Sequence, residues 1–354
     1  MKRIGMMTFL HNDNYGSILQ AWALQQTLLD AGYDAIHIDY APSKQEKIRN
    51  LIFSGNSPKL IFEGMRKKSA TGKMHGGFDE FRKANIVTTE SCRDQAALRK
   101  VATDFDVLVC GSDQIWSPVW LNPAYFLDFS NKPKVSYAPS MGVKDMPNAY
   151  KQRKVARLVK KFSAVSVREQ EGAALIHRMT GIEPIVLPDP VMLVPKEKWQ
   201  SIMDKNIPEE KYILCYFIGD NPAYWETVAD IAGQENCAVR VIPRTEGARN
   251  AGYLLEEDVP PQRWLSLING AAHVVTDSFH GATFSAILNK KCTIVRRYRE
   301  DDPESKNSRI DQLLRNLGVS DLIHADWEVV NANLAEKAEY AKAWLVSAIN
   351  QAAP

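Results

Sequence analysis

The feature that most constrains this chain is the regular alternation of short β-rich runs with helical patterns. "RIGMMTF" (3–9) reads as a strand. It is followed by "SILQAWALQQTLLDAG" (17–32), in which Ile18, Trp22, Leu24, Leu28 and Leu29 recur at helical spacing up to Gly32. Further strands are expected at 34–40, 106–110, 134–138, 163–167 and 183–188. A second series falls at 212–219, 237–243, 271–275 and 292–295. Strands separated by helices need crossover connections, which predicts mainly parallel sheets with helices on both faces. At 354 residues the chain exceeds one ordinary core, so two Rossmann-like domains are expected, with a cleft between them. The stretch "DPVMLVPKEKWQSIMDKNIPEE" (189–210), with prolines at 190, 195 and 208, is the expected connection. The domains are then 1–190 and 191–354, the second ending in a helix near 334–349.

Composition narrows the functional class. A formal net charge of +2 gives no sign of nucleic-acid binding. No stretch approaches the roughly 18–20 apolar residues that span a bilayer. The five cysteines are scattered and mostly lie inside apolar runs. This predicts reduced, buried thiols in a cytoplasmic protein. Residues 44–83 hold ten Lys/Arg against four Asp/Glu. Within them "SPKLIFEGMRKK" (57–68) has Ser57 and Pro58 suited to begin a helix and an apolar strip of Leu60, Ile61 and Met65. Such a basic insertion is either a solvated excursion or a peripheral membrane contact.

In open α/β sheets ligands bind beyond the carboxyl ends of the strands. In this chain those junctions are polar: "HNDNYGS", "GSDQIWS", "PSMG", "REQEG" and "DSFHG". G-x-G-x-x-G, the phosphate loop G-x-x-x-x-G-K-[ST] and the G-x-S-x-G elbow are all missing, and the seven histidines form no metal-ligand cluster. Cations remain. Arg168 opens a helix, where the macrodipole opposes it, so it calls for an anion: a ligand carboxylate or phosphate, or a surface pair with Glu169. Lys306 and Arg309 lie near the start of another helix, after Arg296 and Arg297. Clusters at strand ends of both domains suggest an anion clamp. His280 follows a strand, with Asp277 or Ser278 to cap the helix and Gly281 leaving room for a ligand. It is either a satisfied core histidine or a group that offers a proton near neutral pH.

"NDNYGSILQAWALQ" (12–25), "GSDQIW" (111–116), "VSYAPSMG" (135–142), "SVREQEG" (166–172), "VTDSFHGATFSAI" (275–287) and "KNSRIDQLLRNLG" (306–318) together resemble the polysaccharide pyruvyl transferase family. The resemblance implies a glycosyltransferase-B-like architecture. It also implies transfer of the pyruvyl group of phosphoenolpyruvate to a sugar or lipid-linked glycan of the cell surface, forming a cyclic ketal without cofactor or metal. Position by position it makes His280 the general acid and Arg168 a ligand of the donor anion. Ser278, Lys306 and Arg309 complete the donor set. Where several members carry Arg-Leu-His, this chain has Ser278-Phe279-His280, and Arg309, Arg297 or Arg296 are the available replacements. The amino-terminal junctions would face the acceptor, with Asn12, Asn14, Asp113 and Gln114 binding hydroxyls and Trp116 offering a flat face to a sugar ring. Turn chemistry alone would also account for the Asn and Asp residues. Two other functions fit the same pattern: a nucleotide-sugar glycosyltransferase of this architecture, and a non-catalytic glycan- or anion-binding protein.

Overall fold

A computed structural model of the chain describes residues 1–55, 75–297 and 308–354. The helix expected from Ser57 and Pro58, and Lys306, lie outside the described residues. Two parallel sheets are present, as the alternation predicts. The first comprises β1 (Arg3–Met7), β2 (Asp34–His37), β3 (Val107–Cys110), β4 (Lys134–Ser136), β5 (Ala164–Val167) and β6 (Ile185–Val186), in the order β2-β1-β3-β4-β5-β6. The second comprises β7 (Tyr212–Tyr216), β8 (Ala238–Ile242), β9 (Leu254–Leu255), β10 (His273–Thr276) and β11 (Lys291–Ile294), in the order β11-β10-β7-β8-β9. Every pairing within both sheets is parallel.

Strand order locates the candidate sites. In the first sheet the winding reverses between β1 and β3, and in the second between β7 and β10. At such a reversal the connections leave in opposite directions and open a crevice at the carboxyl ends of the strands. The loops there are 8–14 and 111–117 in the first sheet, and 217–222 and 277–278 in the second. Four of the five junctions singled out by sequence flank these strands or their neighbours.

The helix Tyr15–Asp30 is buried along most of its length, because it packs on the first sheet and under the Pro190–Leu193 turn. Its two buried glutamines are both used. Gln25 bonds the backbone carbonyls of Ala35 and Val87, and Gln20 reaches Thr8 and Ser112. Buried amides persist because each polar atom finds a partner.

Contacts divide the chain into two compact units. The first is Met1–Lys68, Arg82–Leu193 and Lys337–Pro354, and the second is Ser69–Phe81 and Val194–Glu336. This corrects the expected boundary at the carboxyl end. The helix Trp327–Ala352 begins in the second unit and ends in the first. There Ala338, Ala341, Leu345, Ala348 and Ile349 share one core with Ile4, Met6, Leu24 and Leu28. Asn350 also accepts hydrogen bonds from Lys2 Nζ and Tyr33 Oη, both at 3.1 Å. The apolar stripe announces that a helix packs, but not against which sheet. Alanines at 338, 341 and 348 recur along the stretch that joins this core.

Candidate functional site

Each unit carries its own polar constellation. In the first unit, Asn14 caps the helix Tyr15–Asp30 by accepting from the Ser17 amide at 3.2 Å. Turn chemistry therefore accounts for Asn14, and Asn12 is exposed with its carbonyl accepting from the Asn14 amide at 2.8 Å. The helix is tied to the loop after β3. Gln20 Oε1 accepts from the Ser112 amide at 2.8 Å, Thr8 Oγ1 donates to the Ser112 carbonyl at 3.2 Å, and Ser17 Oγ donates to the Asp113 carboxylate. Gly111 makes this loop possible. Its φ is +130°, and a Cβ there would lie 1.9 Å from the Tyr137 carbonyl oxygen.

Asp113 is the strained residue. Its φ of 64° and ψ of −178° fall in a region otherwise close to glycine-only, at a cost of about 1–3 kcal/mol. The half-buried carboxylate is held by Ser17 and by the Gln114 amide at 2.8 Å. The Gln114 side-chain amide lies beside Gly142, at the end of "PSMG". Asp113 and Gln114 are thus brought together at the reversal between β1 and β3. Trp116 does not belong to a sugar-binding face. It is fully buried, stacked on Phe126 at 5.0 Å and edge-on to Phe162, with its indole N–H donating to the Tyr125 carbonyl. The sequence reading placed a flat aromatic correctly in the loop but not its direction. The exposed indole is Trp120, at 50%.

Arg168 also differs from expectation. Its guanidinium is buried and donates from Nε to Glu169 at 3.0 Å and from Nη1 to Asp189 at 2.7 Å. Burial alone would lower its pKa, but Glu169, Asp189 and Asp113 together outweigh that and raise it. The anion demanded by a cation at this helix start is supplied by the chain itself: by Glu169, the expected alternative partner but buried here and not at the surface, and by Asp189, which sequence reasoning did not pair with it. One guanidinium faces three carboxylates, so this constellation is acidic on balance. It suits hydroxyl donors and disfavours a polyanion.

The second unit places a guanidinium at its own junction. Asp277, whose side chain is fully buried, accepts from the Ile218 and Gly219 amides, both at 2.7 Å, and from Arg297 Nε at 2.9 Å. Arg297 Nη2 donates to the Asp277 carbonyl at 3.1 Å, and Tyr224 Oη approaches the carboxylate at 3.4 Å. Asp277 therefore clamps the loop after β7 and fixes a guanidinium at the end of β11. Burial, opposed by Arg244, aided by Asp277 and opposed by Arg297, pushes the Tyr216 phenol up to about 12. The loop after β7 adds a second carboxylate, Asp220, which accepts from Thr245 Oγ1 at 3.2 Å and from the Gly247 amide at 3.3 Å.

Ser278 is the cap of the helix Phe279–Ile287, accepting from the Gly281 amide at 3.3 Å. His280 stands in its first turn, half-buried, with its ring edge-on to Phe279. Gly281 serves packing and leaves no room for ligand, because a Cβ there would lie 2.6 Å from Thr276 Oγ1. That close approach seats the helix on β10 and so sets where His280 sits. Thr276 Oγ1 donates to the Tyr216 carbonyl at 2.6 Å and accepts from the Ser278 amide at 3.1 Å. Arg309 is half-buried in the helix Ser308–Leu317, which packs on Phe279–Ile287. Arg296 is exposed and paired with Asp311 at 2.9 Å. Between Arg296 and Arg297, the structure brings only Arg297 against the DSFH junction. Sequence reasoning missed Asp277 as an organiser because a carboxylate before a helix reads first as its cap.

Among the described residues no group of three or more His, Cys, Asp and Glu is placed to hold a metal ion, and no helix is long and apolar enough to cross a membrane. The five cysteines are free and four are buried; burial pushes the Cys292 thiol up to about 12.

Two α/β units built on parallel sheets, each with a polar loop cluster at its reversal point, define a fold of the glycosyltransferase-B type. The structure is similar to UDP-N-acetylglucosamine 2-epimerase of Neisseria meningitidis bound to UDP-N-acetylglucosamine, with TM-score 0.53, 10% identity and 99% and 100% of the two chains covered. It is similar to the same enzyme of Methanocaldococcus jannaschii, with TM-score 0.52, 13% identity and coverage of 98% and 100%. It is also similar to TarM, with TM-score 0.51, 12% identity and 99% of each chain covered. At these identities the likeness is one of fold. No curated protein matches the chain in sequence. The sequence profile described as polysaccharide pyruvyl transferase matches residues 14–297, and the chain belongs to that family.

Proposed function

We propose that the chain transfers the pyruvyl group of phosphoenolpyruvate to two hydroxyls of a sugar in a cell-surface polysaccharide or its precursor, forming a cyclic ketal and releasing phosphate. Family membership supports the class of reaction. The observation that carries the finer reading is the guanidinium held beside the DSFH junction, set against the acidic surround of Arg168. Arg297 is fixed beside the DSFH junction, with Arg244 near the same strand end, whereas Arg168 stands among three carboxylates. A donor with a carboxylate and a phosphate is assigned to the second unit, at Arg297, Ser278, His280 and Arg309. A neutral polyol acceptor is assigned to Asp113 and Gln114. Arg168 becomes a positioning residue that holds Glu169 and Asp189 rather than a donor ligand. Five free thiols support a reducing, cytoplasmic setting.

His280 delivers a proton to the methylene carbon of the donor, which becomes the ketal methyl group. Positive charge then develops at the adjacent carbon, where the first sugar hydroxyl attacks. A second hydroxyl displaces phosphate. Of the two hydroxyl protons released, one balances the proton given to the methylene carbon and the other leaves with phosphate, whose growing charge Arg297 is suited to stabilise.

Purified protein incubated with phosphoenolpyruvate and simple glycosides tests the reading. Phosphate release coupled to a new acid-bearing sugar is expected. Turnover with a nucleotide sugar and none with phosphoenolpyruvate would assign the chain to glycosyl transfer. His280→Ala is expected to lower turnover by roughly 10²–10⁴-fold while calorimetric donor affinity largely survives. A variant with unchanged turnover would remove the histidine from the mechanism.

A further inference from the structure

Five of the twelve large hydrophobic side chains exposed among the described residues fall on three elements of the first unit that pack on one another, so their exposure is a local feature and not scatter. The elements are the helix Lys44–Ser54, the turn Pro118–Trp120 and the helix Ala149–Val159. Ile48 is 59% exposed, Ile52 74%, Val119 46%, Trp120 50% and Tyr150 41%. The two helices are joined by Tyr150 Oη and Lys154 Nζ, which donate to the Phe53 carbonyl at 3.3 and 3.0 Å. Lys154 also lies over the Phe53 and Tyr150 rings. Lys151 Nζ donates to the Pro118 carbonyl at 2.7 Å, and the first helix packs on the turn.

The charged side chains exposed on these elements are cations, one of which, Arg49, lies 3.9 Å from the buried Glu46. Lys44, Lys47, Arg49, Arg153 and Arg157 are exposed on the two helices. Glu46 is the sole carboxylate in the three elements, and it is buried, accepting from Gln95 Nε2 at 3.2 Å. Isoleucines one helical turn apart, an indole and a phenol at the surface and a surround of cations match an anionic bilayer: apolar groups enter the headgroup boundary and cations meet lipid phosphates. A protein partner would need an acidic rim around an apolar centre. The helix begins in the basic segment that sequence reading marked as either solvated or membrane-facing. The surface extends to the acceptor loop, because Trp120 Nε1 donates to the Gln114 carbonyl at 3.5 Å.

We infer that this surface docks the protein on an anionic lipid bilayer. Resting on the reading of Asp113 and Gln114 as acceptor groups, docking would bring the loop 113–120 to a sugar carried on a lipid anchor.

Flotation of the full chain with phosphatidylcholine vesicles, with and without phosphatidylglycerol, tests the inference without any substrate. Binding is expected only to the anionic vesicles, weakening as salt is raised. The double variant Arg153→Glu/Arg157→Glu should bind roughly tenfold more weakly or worse, since each surface cation contributes severalfold. Ile48→Asp/Ile52→Asp should lose binding at unchanged circular dichroism. Turnover of a water-soluble glycoside should be unchanged in both. Failure of the parent chain to bind anionic vesicles, or binding by both double variants as tight as the parent's, would overturn the inference. So would a dimer that Ile48→Asp/Ile52→Asp dissolves in a protein that ignores vesicles, which would assign the face to a second copy. Vesicle binding in a protein without pyruvyl transfer would leave docking intact and remove only the lipid-linked acceptor.

Discussion

Replacing Asp277 by asparagine is the most informative single change in the second unit. The carboxylate is fully buried and accepts from two backbone amides at 2.7 Å and one guanidinium at 2.9 Å. Asparagine keeps the volume but retains a single acceptor, so its amide nitrogen must face one of the two backbone donors. Each hydrogen bond to a charged group contributes about 1.5–3 kcal/mol, and removing one partner of a buried pair costs about 3–5 kcal/mol. Arg297 keeps 23% of its side chain in water, which offsets part of that loss. The net cost is therefore about 2–4 kcal/mol, concentrated in the loop after β7. Hydrogen exchange reads this locally. The amides of Ile218 and Gly219 should exchange on the order of a hundredfold faster in Asp277→Asn, while the amides of β1 and β3 stay as they were. Donor affinity should fall with it, because Arg297 loses the group that aims it. Unchanged exchange at 218 and 219, with stability altered by less than about 1 kcal/mol, would refute the clamp.

His37 predicts a pH effect of defined sign. Its imidazole is buried, with Nε2 2.9 Å from the Ala21 carbonyl, and burial lowers its pKa to about 4. The unfolded chain therefore binds the proton first. The neutral form's contribution is complete above about pH 6.5 and is lost as pH falls toward 4, amounting to about 3 kcal/mol. Denaturant titrations of the parent and His37→Gln should converge by that amount between pH 7 and 4, and parallel curves would contradict it. Trp116→Ala should cost about 3–5 kcal/mol, and whatever turnover remains should show little change in acceptor KM. A large selective rise in KM would restore Trp116 to the acceptor site. Gly281→Ala places a methyl 2.6 Å from Thr276 Oγ1 and should lower turnover by displacing His280. The double change with Thr276→Ala should recover part of it, and no recovery would argue against this seating.

Much of the fold was legible because burial on both faces of a parallel strand writes a short continuous apolar run, as in Val107–Cys110 and Tyr212–Tyr216. β9, Leu254–Leu255, was not legible, since two residues carry no period. The docking of the carboxyl-terminal helix was hidden for another reason: alanines at 338, 341 and 348 specify close packing without naming a partner. At the sites, residue type and loop position were readable, and Asp113, Gln114, Ser278 and His280 fall at the sheet reversals. Side-chain direction was not. Trp116 and Trp120 sit in the same loop, and only tertiary packing sends one indole inward and the other to the surface. Arg168 looked like a ligand for an outside anion because Asp189 is 21 positions away in sequence.

The central claim is that His280 protonates the donor methylene and that the product is a ketal. Turnover of phosphoenolpyruvate and a glycoside in deuterium oxide measures this directly. The account predicts one deuterium in the methyl group of each product ketal, with one phosphate released per ketal, and loss of both signals in His280→Ala. A product that keeps its methylene as an enol ether, or a sugar transferred without any pyruvyl carbon, would contradict it.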